Sequence, residues 1–168
     1  MSRTQAPPRT AAPARQRTTL MDLVGSGHKI ALFTLPFAAA AVLVDLVDPQ
    51  FFAISHPSAA LQVASGVALL AGLVTWAWSV VLILRKVPRW ELITTGPYAV
   101  VKHPLYTGVA LLVLPGAGFL FGTWLWAFVG VVLYLSSRTF AGEEEAELAE
   151  RFGTGWTRYC ESVWIPWL

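Results

Sequence analysis

Long apolar runs dominate the chain, and polar residues are gathered into short segments between them. The runs cover residues 30–47, 59–84 and 105–140. A helix needs about 20 apolar residues to cross the roughly 30 Å of hydrocarbon in a bilayer. The first two runs meet this length, so each predicts one membrane-spanning helix. Small residues at Ala38 to Ala41 would also suit signal-peptide cleavage, but the apolar run continues past them, which favours an uncleaved span.

The third run is too long for one span and contains two interruptions. These are a Pro-Gly-Ala-Gly sequence at 115–118 and a Gly-Thr sequence at 122–123. Because glycine and proline mark turns, we divide the run into spans near 105–121 and 124–140. The two spans form a helical hairpin, which returns the chain to the side of the membrane that it left.

The composition also indicates a membrane protein. Of the 168 residues, 55% are hydrophobic and 13% are charged, whereas soluble domains carry about 25% charged residues. A soluble fold of this length could not bury so much apolar surface, so we expect lipid to be the solvent. The pattern predicts an all-α integral membrane protein with about four transmembrane helices. Cys160 is the only cysteine, which excludes an intramolecular disulfide and a cysteine metal cluster.

The positions of Lys and Arg predict the orientation of the spans. Residues 1–27 are basic and rich in Pro and Ala, which is typical of a disordered tail. Basic residues also occur in segment 85–102 and from position 138 onwards, whereas loops 48–58 and 116–123 contain none. Because basic segments tend to stay in the cytoplasm, we expect both termini there.

A first polar segment, between the second and third spans, carries groups that suit an anion. A Gly-Pro-Tyr sequence at 96–98 predicts a turn. Pro104 suits the first position of the third helix, where its missing N–H costs nothing, so His103 lies beside the helix N-terminus. Free N–H groups at that end favour an anion, and Lys102 adds a full positive charge.

Aromatic residues and a glycine extend this segment. Tyr98 and Tyr106 offer aromatic faces with hydroxyl groups, and Gly108 admits close contact by a neighbour or a ligand. A basic, aromatic anchor at the membrane surface is the alternative interpretation of the whole segment.

A second polar segment follows the fourth span and is acidic. Glutamates occupy positions 143, 144, 145, 147 and 150. We expect an amphipathic helix, because Leu148 and Phe152 are four residues apart and share a face. Glu144 and Glu145 then point in different directions, so one faces a ligand while the other pairs or meets water. A solvated acidic face is the alternative, but acids beside the negatively charged leaflet suggest a cationic partner, either segment 85–102 or a bound cation.

Together, the two segments resemble the isoprenylcysteine carboxyl methyltransferase family, within the wider group that includes phospholipid methyltransferases. The family pattern has Gly-Pro-Tyr, then Arg-His-Pro-x-Tyr-x-Gly, a hydrophobic hairpin, and an acidic segment that ends in Phe-Gly-x-x-Tyr-x-x-Tyr. The matching residues are Gly96, Pro97, Tyr98, His103, Pro104, Tyr106, Gly108, Glu144, Glu145, Leu148, Phe152, Gly153 and Tyr159. The resemblance covers residues 92–159.

The resemblance implies a methyltransferase that binds S-adenosylmethionine on the cytosolic side and methylates a lipophilic acceptor, such as a membrane lipid, that enters from the bilayer. Residues 92–159 would be the cofactor-binding core of a single membrane-embedded domain, residues 28–168. The implied cofactor-binding residues are Tyr98, Lys102, His103, Pro104, Tyr106, Gly108, Glu144 and Glu145. Neither a metal ion nor a nucleic acid is expected as a partner.

The chain departs from the family pattern at three places. Lys102 replaces the usual arginine, which keeps the charge but loses the bidentate geometry. Trp156 replaces the first tyrosine of the last element. The family often ends in Val-x-Arg-x-x-Pro, with the arginine near the reacting centre, whereas this chain has Val-Trp-Ile-Pro at 163–166. The resemblance therefore constrains the acceptor less than it constrains the cofactor.

The charges of S-adenosylmethionine suggest which residues contact each of its groups. Lys102 and His103 suit its carboxylate, and Glu144 or Glu145 suits its ammonium group or ribose hydroxyls. An aromatic ring of the first segment would stack on the adenine. A carboxylate acceptor needs no base, but an amine acceptor must lose a proton, for which Glu144 is the candidate catalytic residue.

Three other functions remain open at this point. A phospholipid amine N-methyltransferase would use the same cofactor with a headgroup as acceptor. A membrane reductase would share a similar C-terminal membrane arrangement, but a nicotinamide cofactor with a 2′-phosphate would need more arginine near the site. A small non-enzymatic membrane scaffold would use its polar ends only as anchors.

Overall fold

The computed structural model describes residues 27–166. Residues 1–26 and 167–168 lie outside the described part, so nearly all of the predicted N-terminal tail falls there. The described chain is 79% helix, and residues 27–166 contain no strand. The all-α fold class is therefore confirmed.

Within residues 27–166 the helices are α1 (Gly27–Val47), α2 (Ala59–Lys86), α3 (Pro97–Val100), α4 (Pro104–Leu120), α5 (Leu125–Phe152) and α6 (Thr154–Ser162). A 3₁₀ turn, Val87–Arg89, extends α2. Helices α1, α2 and α5 are long and apolar enough to cross a membrane, while α4 is shorter and stands at the lower limit of about 17 residues for a span.

The outer surface of these helices is apolar. Leu32 on α1 is 74% exposed and Leu70 on α2 is 65% exposed. Exposed side chains of this kind along whole helices are expected where lipid tails cover the protein. The prediction of an integral membrane protein is therefore confirmed.

The hairpin of α4 and α5 turns where the sequence predicted, between Leu120 and Leu125. This turn is tied to the loop between α1 and α2, because the Ile54 N–H donates to the carbonyl of Gly122 (2.6 Å) and the Trp124 N–H donates to the carbonyl of Phe52 (3.2 Å). These contacts gather one end of all four apolar helices. The polar segments consequently meet at the opposite end.

Helix α4 packs closely on α2. A Cβ atom at Gly116 would lie 2.8 Å from the backbone nitrogen of Leu69, so only glycine allows this approach. The π-helical stretch Val109–Val113 precedes Pro115, which has no N–H to donate. Small residues and irregular turns are thus placed where α4 is enclosed by α2 and α5.

Polar pairs help to join α1 to α5. The hydroxyls of Thr34 and Ser136 are buried and lie 3.1 Å apart. Near the other end, the Trp126 indole N–H donates to a carboxylate oxygen of Asp45 (3.2 Å). Hydrogen bonds of this kind hold helices together where lipid offers no partner. They hold α1 antiparallel to the first half of α5.

The structure places the acidic segment differently from the prediction. We expected a separate amphipathic helix after the fourth span, but α5 runs unbroken from Leu125 to Phe152 and carries the glutamates on its own extension. No proline interrupts α5, and Ala, Glu and Leu favour the helix. It ends at Phe152, and Gly153 (φ +51°) separates it from the short α6, which carries the buried Trp156 and Tyr159.

Candidate functional site

A cavity of about 380 Å³ lies at the end of the bundle where the polar segments meet. Its walls come from the first residues of α1, the last turn of α2, the segment that precedes α4, the end of α5, and α6. Its polar and charged lining includes His28, Lys29, Glu91, Tyr98, Lys102, His103, Tyr106, Glu143, Glu144, Glu147, Arg151 and Tyr159. Both polar segments of the sequence therefore reach one cavity.

The start of α4 positions His103. Pro104 occupies the first turn of the helix and is almost fully buried, and His103 is the residue before it. The His103 carbonyl accepts from the Thr107 N–H (3.0 Å), which closes the first helical turn. His103 is only 8% exposed, so its imidazole is fixed at the base of the cavity.

Glu145 joins the two polar segments directly. Its Oε1 atom lies 2.6 Å from Nζ of Lys102 and 3.1 Å from Nε2 of His103. All three side chains are largely removed from solvent, with exposed fractions of 26%, 12% and 9% respectively. Charge-assisted hydrogen bonds are strong in such surroundings. Lys102 and His103 therefore already have a carboxylate partner within the chain.

Glu144 takes a different direction from Glu145, as consecutive positions on a helix must. It lines the cavity, and the same face of α5 adds Glu147, Leu148 and Arg151. These positions are three to four residues apart, so they form one stripe along the helix. Along the cavity wall that α5 contributes, the acidic residues therefore come first in the chain, and the basic Arg151 follows them near the end of the helix.

The position of Tyr98 is fixed by contacts of the backbone around it. The preceding Gly96 has φ +65°, and a Cβ atom there would lie 3.0 Å from the ring of Trp78, so glycine is required. The Tyr159 hydroxyl donates to the Tyr98 carbonyl (2.9 Å). Burial raises the pKa of both phenols above the ordinary value, so both stay neutral at physiological pH. Tyr159 therefore keeps the proton that it donates.

The C-terminal segment forms backbone hydrogen bonds with the first polar segment. The N–H groups of Trp164 and Ile165 donate to the carbonyls of Ala99 (3.2 Å) and Val100 (2.9 Å). Ile165 also pairs in parallel with Val101. Residues 163–166, where the sequence departs from the family pattern, thus run along the segment that carries Tyr98.

Two residues predicted to bind the cofactor are placed in the packing around the cavity. Pro104 lies behind His103, and Gly108 faces α2, where an added Cβ atom would contact Thr75 at 3.4 Å. Neither is part of the cavity lining among the described residues. Glu145, a third predicted cofactor-binding residue, is also outside this lining and contacts Lys102 and His103 instead. Their role in cofactor binding stays a prediction.

Several cavity residues escaped the sequence reasoning. Lys29 pairs with Glu143, which joins α1 to α5. The guanidinium of Arg151 lies over the ring of Trp90, 4.4 Å from its centroid. The spacing of Arg151 from Glu144 and Glu147 on one helical face was the available signal, but nothing local in the sequence links Trp90 or Lys29 to the cavity.

The fold and the site define a class of protein: a polytopic helical membrane protein with a charged, aromatic cavity at one end of the bundle. The family model of the isoprenylcysteine carboxyl methyltransferase (ICMT) family matches residues 61–150, more than half of the chain. The chain belongs to this family. A search of the curated proteins gave no match, and a search of the solved structures gave none.

The family match bears on the competing functions. It includes nearly all of α2 and most of α5, whereas the resemblance carried by the two polar segments begins at residue 92. The family is one of methyltransferases, so membership supports a transferase over a reductase or a scaffold. Helices α1 and α6, which also line the cavity, lie outside the match.

Proposed function

We propose that the protein is an S-adenosylmethionine-dependent methyltransferase that acts on a lipophilic acceptor at the cytosolic face of a membrane. The observation that carries this proposal is the single cavity that joins both polar segments beside lipid-facing helices. Its volume falls in the range of about 300–1,000 Å³ that is usual for small-molecule sites. Family membership supports methyl transfer to an isoprenylcysteine-type carboxylate.

The lining fits the proposed cofactor. Glu144 and Glu147 offer carboxylates to its ammonium group or ribose hydroxyls, and the rings of Tyr98 and Tyr106 offer faces for its adenine. When bound, S-adenosylmethionine supplies a methyl group that is already activated. The chain then has to align the acceptor and exclude water, which the buried His103 and the aromatic walls do.

The acceptor would enter from the bilayer side of the cavity. Ile83 of α2 and Leu105 of α4 give this side an apolar lining. Lipid-facing helices adjoin it, so a prenyl or acyl chain could stay in the membrane while its polar end reaches the cavity. The orientation that we propose places the cavity in the cytosol, because basic residues accompany the polar ends of the helices.

A second candidate is an N-methyltransferase for a lipid amine. The observation that favours it is the group of acids in the cavity, Glu91, Glu144 and Glu147. An amine must lose a proton before or during methylation, and Glu144 is the candidate base. The two candidates share a cofactor and differ only in the acceptor.

The cofactor is tested by direct binding. The affinity of the detergent-solubilised full chain for S-adenosylhomocysteine, the demethylated product, should fall at least tenfold in Glu144→Gln and in His103→Ala, and to a smaller extent in Glu145→Gln. Glu150→Gln is the control, because Glu150 is exposed and outside the described cavity lining. Unchanged binding in all three cavity variants would defeat the proposal.

The acceptor is tested by the chemical lability of the product. Membranes that hold the protein receive S-adenosylmethionine with a radiolabelled methyl group, together with a prenylcysteine analogue or phosphatidylethanolamine. A methyl ester releases volatile methanol in mild base, whereas an N-methyl group does not. Base-labile label favours the carboxylate acceptor, and base-stable label in the lipid fraction favours the amine.

A further inference from the structure

The cations around the cavity differ in how they are neutralised. Lys29 is paired with Glu143, and both Lys102 and His103 are bound to Glu145. Among residues 27–166, no carboxylate lies within ion-pair distance of the Arg151 guanidinium, whose contact is with the Trp90 ring at 4.4 Å. Within the described part of the chain, Arg151 is therefore a cavity-lining cation with charge available for a ligand.

The Trp90 ring is placed by an unusual backbone. Trp90 has φ 60° and ψ 32°, and its N–H donates to the Val87 carbonyl (3.0 Å), which ends the 3₁₀ turn after α2. A left-handed conformation costs a non-glycine residue about 1–2 kcal/mol and is found disproportionately at functional sites. Here it sets an aromatic face beneath the guanidinium.

Stacking leaves the guanidinium able to bind an anion. The Trp90 ring is a neutral neighbour of the Arg151 guanidinium, and the five N–H donors of a guanidinium lie in its own plane. That geometry suits a carboxylate or a phosphate, which can accept two parallel hydrogen bonds. The ring also limits the motion of the long side chain, so less conformational entropy is lost when a ligand binds.

The acids on the same face complete the pattern. Glu144, Glu147 and Arg151 line the cavity from one stripe of α5. Glu147 and Arg151 are separated by one helical turn, about 6 Å along the axis. Acid and base at this spacing complement a zwitterion with an ammonium group next to an anionic group.

We propose that Glu147 and the Arg151–Trp90 pair form a subsite for a zwitterionic group, in which Arg151 binds the anion and Glu147 binds the ammonium. This inference rests on the proposed function, because the amino-acid end of S-adenosylmethionine is such a zwitterion. The ammonium and phosphate of an ethanolamine lipid headgroup share this chemistry and are the other source. Arg151 then takes the ligand carboxylate, while Lys102 and His103 stay bound to Glu145 and form part of the cavity wall.

The donor arm of the test compares two nucleosides on the full chain in detergent. One is S-adenosylhomocysteine, and the other is its decarboxylated form, which keeps the ammonium group but lacks the carboxylate. Wild type should prefer the first by about 10- to 100-fold, the usual effect of a charge-assisted hydrogen bond. Arg151→Met should bind both alike, with an unchanged affinity for the decarboxylated form, which shows that the variant is folded.

Three further variants serve as comparisons in the nucleoside-binding experiment. Arg151→Lys should keep part of the preference, because the charge remains but the bidentate geometry is lost. Arg158→Met should keep all of it, because Arg158 is exposed on α6 and outside the described cavity lining. Glu147→Gln should lower the affinity for both nucleosides by a similar factor, because both carry the ammonium group.

The lipid arm titrates the same variants with short-chain phosphatidylethanolamine. A loss of lipid affinity in Arg151→Met, with the nucleoside preference intact, assigns the subsite to the headgroup. If Arg151→Met changes neither the nucleoside preference nor the lipid affinity, the subsite is wrong. If wild type binds neither nucleoside, the proposed cofactor fails, and the lipid arm alone decides the subsite.

Discussion

At the scale of single residues, Glu145 has the most consequential contacts. One of its oxygens binds Lys102 and His103, which belong to a segment more than forty positions earlier in the chain. Both partners are mostly buried, so water compensates poorly for a lost carboxylate. The cluster therefore determines how α4 begins and how the end of α5 docks on it.

Replacing Glu145 tests this role. We expect Glu145→Gln to lower the free energy of unfolding by about 1–3 kcal/mol, because Lys102 is left partly buried without its counter-charge. Glu143→Gln is the matched control, since its partner Lys29 is 40% exposed and such pairs contribute about 0–1 kcal/mol. Denaturant unfolding in a fixed detergent measures both, and equal losses would contradict the role of Glu145.

At the scale of elements, α5 connects the membrane to the cavity. Its first half packs against α4 and α1, and its last turns carry Glu144 and Arg151 into the site. Because the helix is unbroken, a shift of its membrane-embedded half also moves these side chains. Close packing at Gly130 fixes that half, because a Cβ atom there would press into the carbonyl oxygen of Ala110.

Two glycines on α5 give a matched comparison. Gly130→Ala should destabilise the protein by about 1–3 kcal/mol, the usual cost of overpacking, and should weaken nucleoside binding by shifting α5. Gly142→Ala should stabilise it by about 0.5–1 kcal/mol, since alanine favours the helix and nothing lies within 4 Å of the added Cβ. Thermal unfolding measures both changes. A neutral Gly130→Ala would show that α4 and α5 do not approach this closely.

At the scale of the whole molecule, the two ends of the bundle differ in chemistry. One end holds the α4–α5 turn and the loop between α1 and α2, which contain no Lys or Arg. The other holds the cavity, the start of α1 and helix α6. We predict from this separation that all four apolar helices cross the membrane, with the cavity end in the cytosol.

Cysteine labelling tests the orientation. In a Cys160→Ser background, Ser55→Cys marks the loop between α1 and α2, and Thr154→Cys marks the start of α6; both positions are exposed. A membrane-impermeant maleimide should label Ser55→Cys in intact cells, and Thr154→Cys only after the membrane is permeabilised. Labelling of both from one side would contradict the four-helix path.

The sequence itself determined the features that depend on local properties. The length of an apolar run decides whether a helix can span lipid, so the bounds of α1 and α2 and the turn after Leu120 could be predicted closely. The order and spacing of the polar segments around the hairpin were enough to indicate the family. Where helix-forming residues continued without a stop, the prediction ended α5 too early.

Only the tertiary structure decided which side chains share the cavity. Consecutive glutamates look alike in sequence, but packing turns Glu145 to Lys102 and His103 and leaves Glu144 in the lining. The stacking of Arg151 on Trp90 and the path of residues 163–166 join parts of the chain that are far apart. Such contacts depend on the angles and distances between packed helices, which hydrophobic periodicity and local motifs do not encode.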